Sequence, residues 1–173
     1  SYNTNKGLLT FGKRYENGLY LLLSGSYLKS DGQTLYFPEF DDGKPAHNGG
    51  YAEDSDAEFV YAFSGSLRYR DSRLAGLFYA RGKEVPTASY ESVFNDGRTE
   101  TLDKKYFVEF KHHPQLTPRL SVLFRLYDNQ YHYTAGFPID YPPITLNHDD
   151  TLGGWYGTEL QADWKIGAWG RLL

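Results

Sequence analysis

Between Leu120 and Tyr133 the chain changes side with every residue. Leu120, Val122, Phe124 and Leu126 fall on one side, and Ser121, Leu123, Arg125, Tyr127, Asn129, Tyr131 and Tyr133 on the other. A period of two belongs to a β-strand, whose successive side chains point to opposite faces of a sheet. One face of such a strand is apolar and must be covered by something. The same alternation recurs over Gly7–Arg14, Leu19–Lys29, Glu58–Arg70, Leu74–Gly82, Lys104–His112 and Gly153–Lys165, and an eighth strand starts after a turn at Ile166–Trp169. No stretch of useful length prefers a 3.6-residue period, so the sequence offers no helix to serve as a second layer.

The connections sort by length. Short ones fall at 15–18, 71–73, 113–118 and 166–169, and longer ones rich in Gly, Pro and Asp at 30–56, 83–102 and 134–151. In an up-and-down meander all the short turns then lie at one rim and all the long ones at the other. Outer-membrane barrels have this asymmetry, with tight periplasmic turns and long extracellular loops.

The polar faces carry both signs of charge, in Arg68, Arg81, Glu109, Lys111, Arg125, Glu159 and Asp163, while the apolar faces are nearly free of it. A barrel in lipid turns its apolar face outward and its charged face to the lumen, whereas a soluble sandwich packs apolar faces together and gives loop length no reason to sort by rim. The expected fold is therefore all-β: an antiparallel up-and-down meander of about seven to eight long strands. It forms part of a transmembrane β-barrel wall, with residues 1–173 as a single segment. Tyr156 and Trp164 sit eight residues apart on the outward face, roughly 20 Å of height for a tilted strand and close to the spacing of two interfacial girdles. The fourteen residues from Leu120 to Tyr133 exceed the ~9–11 that a spanning strand needs, so the upper part projects outside. On this reading Phe124→Arg costs more than Arg125→Phe.

Composition narrows the classes. Aromatic residues make up 17% of the chain, 16 of them Tyr, yet mean hydropathy is −0.60, which suits a wall with one greasy and one wet face. A net charge of −4 without a basic stripe removes the electrostatic footprint of a nucleic-acid binder. No Cys is present, so no disulfide or thiolate metal site exists, and no apolar run approaches the ~18 residues of a membrane helix. The chain has no Met, so Ser1 is read as following a processing site or lying within a longer sequence.

Several segments in this order carry a family resemblance. They are Gly12-Lys-Arg14, Asn17-Gly-Leu19, Ser24-Gly-Ser-Tyr27, Ser30-Asp-Gly-Gln33, Leu35-Tyr-Phe-Pro-Glu-Phe-Asp41, Pro86-Thr-Ala88, Phe94-Asn-Asp96, Arg125-Leu-Tyr-Asp128 and Trp155-Tyr-Gly-Thr-Glu-Leu160. Together with the loop rhythm, they resemble the barrel of TonB-dependent outer-membrane receptors across essentially the whole chain. The energy-coupling box, the plug domain and the final strand of such a receptor are missing. The resemblance implies a bacterial outer-membrane location and import of a scarce nutrient of the ferric siderophore, cobalamin or oligosaccharide class. The implied partners are outer-membrane lipid and lipopolysaccharide, the remainder of the receptor, and TonB through the missing parts; no cofactor is implied. A self-contained eight-stranded barrel with a structural or adhesive role is the alternative, and an outer-membrane enzyme comes third.

Aromatic loop residues are the ligand-binding candidates: Tyr36, Phe37, Tyr131, Tyr133 and Phe137, since apolar ligands dock on such rings. His148-Asp149-Asp150 reads as a solvated loop tip ahead of a catalytic site, because one loop shows no converging base and nucleophile. The 30–56 loop carries seven acids against one Lys but lacks the spacing of a Ca²⁺ loop, so neither catalysis nor a metal is expected.

Overall fold

The computed structural model describes residues 2–167 and 170–172. The first hairpin joins β1 (Asn5–Arg14) to β2 (Tyr20–Ser30). Its turn closes where the Tyr15 N–H donates to Leu19 O at 2.8 Å and Gly18 takes a φ of +86°. The next connection holds β3 (Leu35–Tyr36), paired with β4 (Tyr51–Ala52), and 3-10 turns at Pro38–Phe40 and Pro45–Gly50. Then come β5 (Glu58–Tyr69), β6 (Ser72–Glu84), β7 (Glu100–His112) and the short β8 (Gln115–Thr117). The chain ends with β9 (Leu120–Ile139), β10 (Thr145–Ile166) and β11 (Gly170–Leu172).

The strands follow one antiparallel path, β1-β2-β5-β6-β7-β9-β10-β11, with β8 added beside β9, and the sheet curls into a half-barrel. The all-β meander expected from the alternation is therefore what forms, without an α-helix among the described residues.

Register fixes the faces. Phe11, Leu23, Gly65, Gly76 and Val108 lie side by side in one row. Below it, Leu21, Leu67, Leu74, Phe110, Leu126 and Thr158 form another. The apolar stripes of the separate strands thus merge into one continuous apolar face. Nothing among the described residues covers it: Leu160 is 75% exposed, and Leu9, Phe63, Tyr156 and Trp164 are exposed beside it. The chain exposes 11958 Å², where a compact soluble monomer of 19.8 kDa would expose roughly 8,600 Å². Phe94 and Phe137 are the large apolar side chains that the fold buries among the described residues, and both lie at the long-loop rim.

Two details differ from the sequence expectation. The stretch 134–151 is mostly strand: β9 and β10 stay paired up to Ile139 and Thr145, and residues 140–144 make the turn. Gly136 and Pro138 read as breakers in sequence, but the second loop supports them from the side. The Val93 N–H donates to Pro138 O at 2.7 Å and Ser92 bridges Ile139, so the edge of β9 is covered where Pro has no N–H to offer. The β5–β6 turn centres on Arg70, with φ +50°, and Asp71, one residue earlier than expected. The Ile166–Trp169 turn lies partly outside the described residues.

Gly32 anchors the root of the first long loop. It takes φ +74°, and a Cβ there would meet the Asp56 backbone oxygen at 2.3 Å. Gly32→Ala is expected to cost at least about 1 kcal/mol for the left-handed backbone alone. Cleavage by a Glu-specific protease after exposed Glu39 should rise severalfold, and an unchanged rate would contradict this anchoring role.

Candidate functional site

Two regions carry polar chemistry. The first is the polar face of the sheet. Arg68, Arg73, Lys111, Arg125 and Glu159 are successive register partners across β5, β6, β7, β9 and β10. Arg81, Glu109 and Asp163 stand on the same face by the two-residue period. All seven charged residues expected to share a face do so.

Glu109 is the hub of a network on that face. It is 7% exposed and accepts from Arg125 Nε at 2.7 Å, with Lys111 Nζ at 3.2 Å. Arg125 Nη1 reaches Glu159 at 3.2 Å, and its guanidinium lies over the Tyr127 ring at 4.6 Å. Gly157 makes room for that ring, since a Cβ there would fall 2.5 Å from the Tyr127 hydroxyl. Higher on the same face, Arg81 Nε pairs with Glu58 at 2.6 Å, Lys83 with Asp56, and the Tyr131 hydroxyl donates to Asp103. Each carboxylate of this network has a cation or hydroxyl at hand, which keeps a charged face ordered in a partly wet setting.

The second region is the long-loop rim. Phe94 from the second loop stacks on Phe40 of the first, with ring centres 4.0 Å apart and planes 9° apart. Phe37 meets Phe94 edge-on at 5.7 Å and His47 does so at 6.0 Å. The Glu53 N–H donates to Asn95 Oδ1 at 2.8 Å, a further tie between the two loops. Asp42 gathers Lys44 at 2.8 Å and His47 Nδ1 at 2.9 Å. The hydrogen bond from Lys44 leads in holding the Asp42 carboxyl down at about 2. The loops are thereby fastened to one another and, through Val93, to the tip of β9.

No protein family, curated protein or solved structure matches the chain. Its functional reading rests on this geometry and on the sequence.

The five aromatic candidates separate. Phe37 is engaged in loop-to-loop packing, and the Tyr36 hydroxyl donates to Asp41 at 3.0 Å, which pushes its phenol upward. Tyr131 belongs to the polar face. Tyr133 and Phe137 come together with Tyr90, Ile139, Asn147 and Asp149 around a cavity of about 560 Å³. Burial first, and then the Asp149 carboxylate, raise the Tyr133 phenol above its ordinary value.

Tyr90 and Asp149 were not singled out as binding residues by the sequence. Tyr90 sits in a loop without periodicity, and Asp149 read as part of a solvated tip until the strand pairing placed it beside Tyr133. A second concavity of about 1080 Å³ lies over Gly25, Gly65 and Gly76 on the apolar face, and none of its lining residues is charged.

Proposed function

We propose that this chain is a segment of the wall of a TonB-dependent receptor in a bacterial outer membrane, where it helps import a scarce nutrient. The observation that carries the reading is the continuous, uncovered apolar face backed by a charged, hydrogen-bonded one. In water such a face is an aggregation hazard; against acyl chains it is the surface a barrel needs. The uncharged trough over Gly25, Gly65 and Gly76 suits acyl chains in the same way.

Strand length supports the orientation. β9 and β10 run 20 and 22 residues, about twice what spanning requires, and the excess carries the loop layer beyond the lipid. The polar face then looks to the lumen, and the aromatic rim lies on the side from which a ligand arrives.

β1 supports a wall segment over a self-contained barrel. It is an edge strand exposed along its whole length, and it pairs only with β2 among the described residues. A long apolar edge invites a neighbouring strand.

Reading the coding sequence on both sides of this segment tests the proposal. An open frame with a plug domain and energy-coupling box upstream is the expected result. A signal peptide directly before Ser1 and a stop directly after Leu173 would contradict it in favour of the small barrel.

A further inference from the structure

We infer that the cavity between the second loop and the β9–β10 hairpin binds an organic ammonium ion, with Tyr90, Tyr133 and Phe137 as aromatic walls and Asp149 as counter-charge. The inference deepens the receptor reading and rests on it for the side from which the ligand enters.

The walls are differently held. Phe137 is buried, fixed between the paired strands and the second loop, so its ring is a rigid back wall. Tyr90 is 81% exposed and meets Phe137 edge-on at 5.3 Å, so it stands as an open front wall. Ala88, Tyr90 and Glu91 all take positive φ, of 47°, 57° and 62°, a backbone path that lifts the Tyr90 ring over the strands. Tyr133 lines the same space from the strand surface below.

Charge selects the ligand. Asp149 lines the cavity and makes no ion pair among the described residues. The stretch 134–151 contains no Lys or Arg, the neighbouring first loop has seven acids against one Lys, and the two cations of the second loop are already paired, Lys83 with Asp56 and Arg98 with Asp96. An anionic ligand meets repulsion here, while a cation is drawn in. A small metal ion would give up a hydration shell that rings cannot replace, and no group of three or more His, Asp or Glu is placed to hold one among the described residues. A large, weakly hydrated ammonium is attracted by the negative faces of the rings and by one carboxylate. Asn147 adds an amide at the margin, able to hydrogen-bond a polar substituent of the ligand.

Choline and its uncharged isostere 3,3-dimethyl-1-butanol test the site on the full chain in polyoxyethylene-detergent micelles, followed by calorimetric titration. Choline is expected to bind saturably and roughly three- to thirtyfold more tightly than the alcohol. Asp149→Asn and Tyr90→Leu should each weaken choline by a factor in that range, while Tyr90→Phe retains binding. Unchanged circular dichroism shows that each variant is folded. Equal affinity for the two probes, or an Asp149→Asn chain that binds choline normally, overturns the inference. A chain that inserts in lipid but binds no choline loses this site and keeps the receptor-wall reading. A chain that needs no detergent and still binds choline keeps the site and loses the wall.

Discussion

Leu160→Arg is expected to destabilise the protein folded in lipid vesicles by about 2–4 kcal/mol, the cost of a cation on the lipid side at mid-bilayer depth. Leu160 lies on β10 midway between Tyr156 and Trp164, beside Phe124 of β9, and its side chain touches little within the chain. That makes the expectation sharp. At 75% exposure the same substitution in a water-soluble sheet would fall within about 0.5 kcal/mol of neutral. Gln161→Arg, one residue further and on the opposite face, is the matched control and should stay within about 0.5 kcal/mol. Urea unfolding of the vesicle-bound protein, followed by far-UV circular dichroism, measures both. Equal effects of the two substitutions would show that the faces have been assigned without cause.

Arg125→Leu is expected to cost about 2–3 kcal/mol. The substitution leaves Glu109 nearly enclosed with only Lys111 as a cationic partner, and it also removes the link to Glu159 and the contact with Tyr127. The figure sits below the ~3–5 kcal/mol of a fully enclosed pair because the Arg125 side chain keeps 30% exposure. Replacing both partners, Glu109→Leu with Arg125→Leu, removes the stranded carboxylate and should recover at least about 1 kcal/mol relative to the sum of the single changes. A double-mutant cycle in the same unfolding assay gives the coupling, and a value near zero would mean that the network does not act as a unit. From the alternation alone, Arg125→Phe reads as better tolerated than Phe124→Arg; the ion pairs narrow that difference.

The alternation made most of the sheet legible because a two-residue period is local and the register preserves it. Once Leu67 stands opposite Leu74 and Leu74 opposite Phe110, the faces merge without further information. The same holds for the polar face, where Arg68 and Glu159 could be placed together before any pairing was known. The tips of β9 and β10 were not legible. Gly136 and Pro138 carry loop signals, and the hydrogen bond that covers the open edge of β9 there comes from Val93, distant in sequence. The rim cavity was half legible for a similar reason. Tyr133 and Phe137 announce themselves as aromatics near a rim, but Tyr90 joins them only through a fold of the second loop, and Phe37 is drawn away by Phe94. Contacts between loops depend on closure over many residues and leave no periodic trace.

The most direct measurement of which face meets lipid uses the tryptophans. Trp164 lies on the apolar face and Trp155 on the polar one, with similar exposures of 51% and 48%, so water treats them alike. Two single-tryptophan chains isolate them: one with Trp155→Phe and Trp169→Phe, the other with Trp164→Phe and Trp169→Phe. Both are refolded into vesicles whose lipids are brominated along the acyl chains, and fluorescence is compared with that in unbrominated vesicles. Strong quenching of Trp164 with little quenching of Trp155 is the expected result. Equal quenching of the two, or stronger quenching of Trp155, would contradict the assignment of the apolar face to lipid and with it the reading of this sheet as a membrane wall.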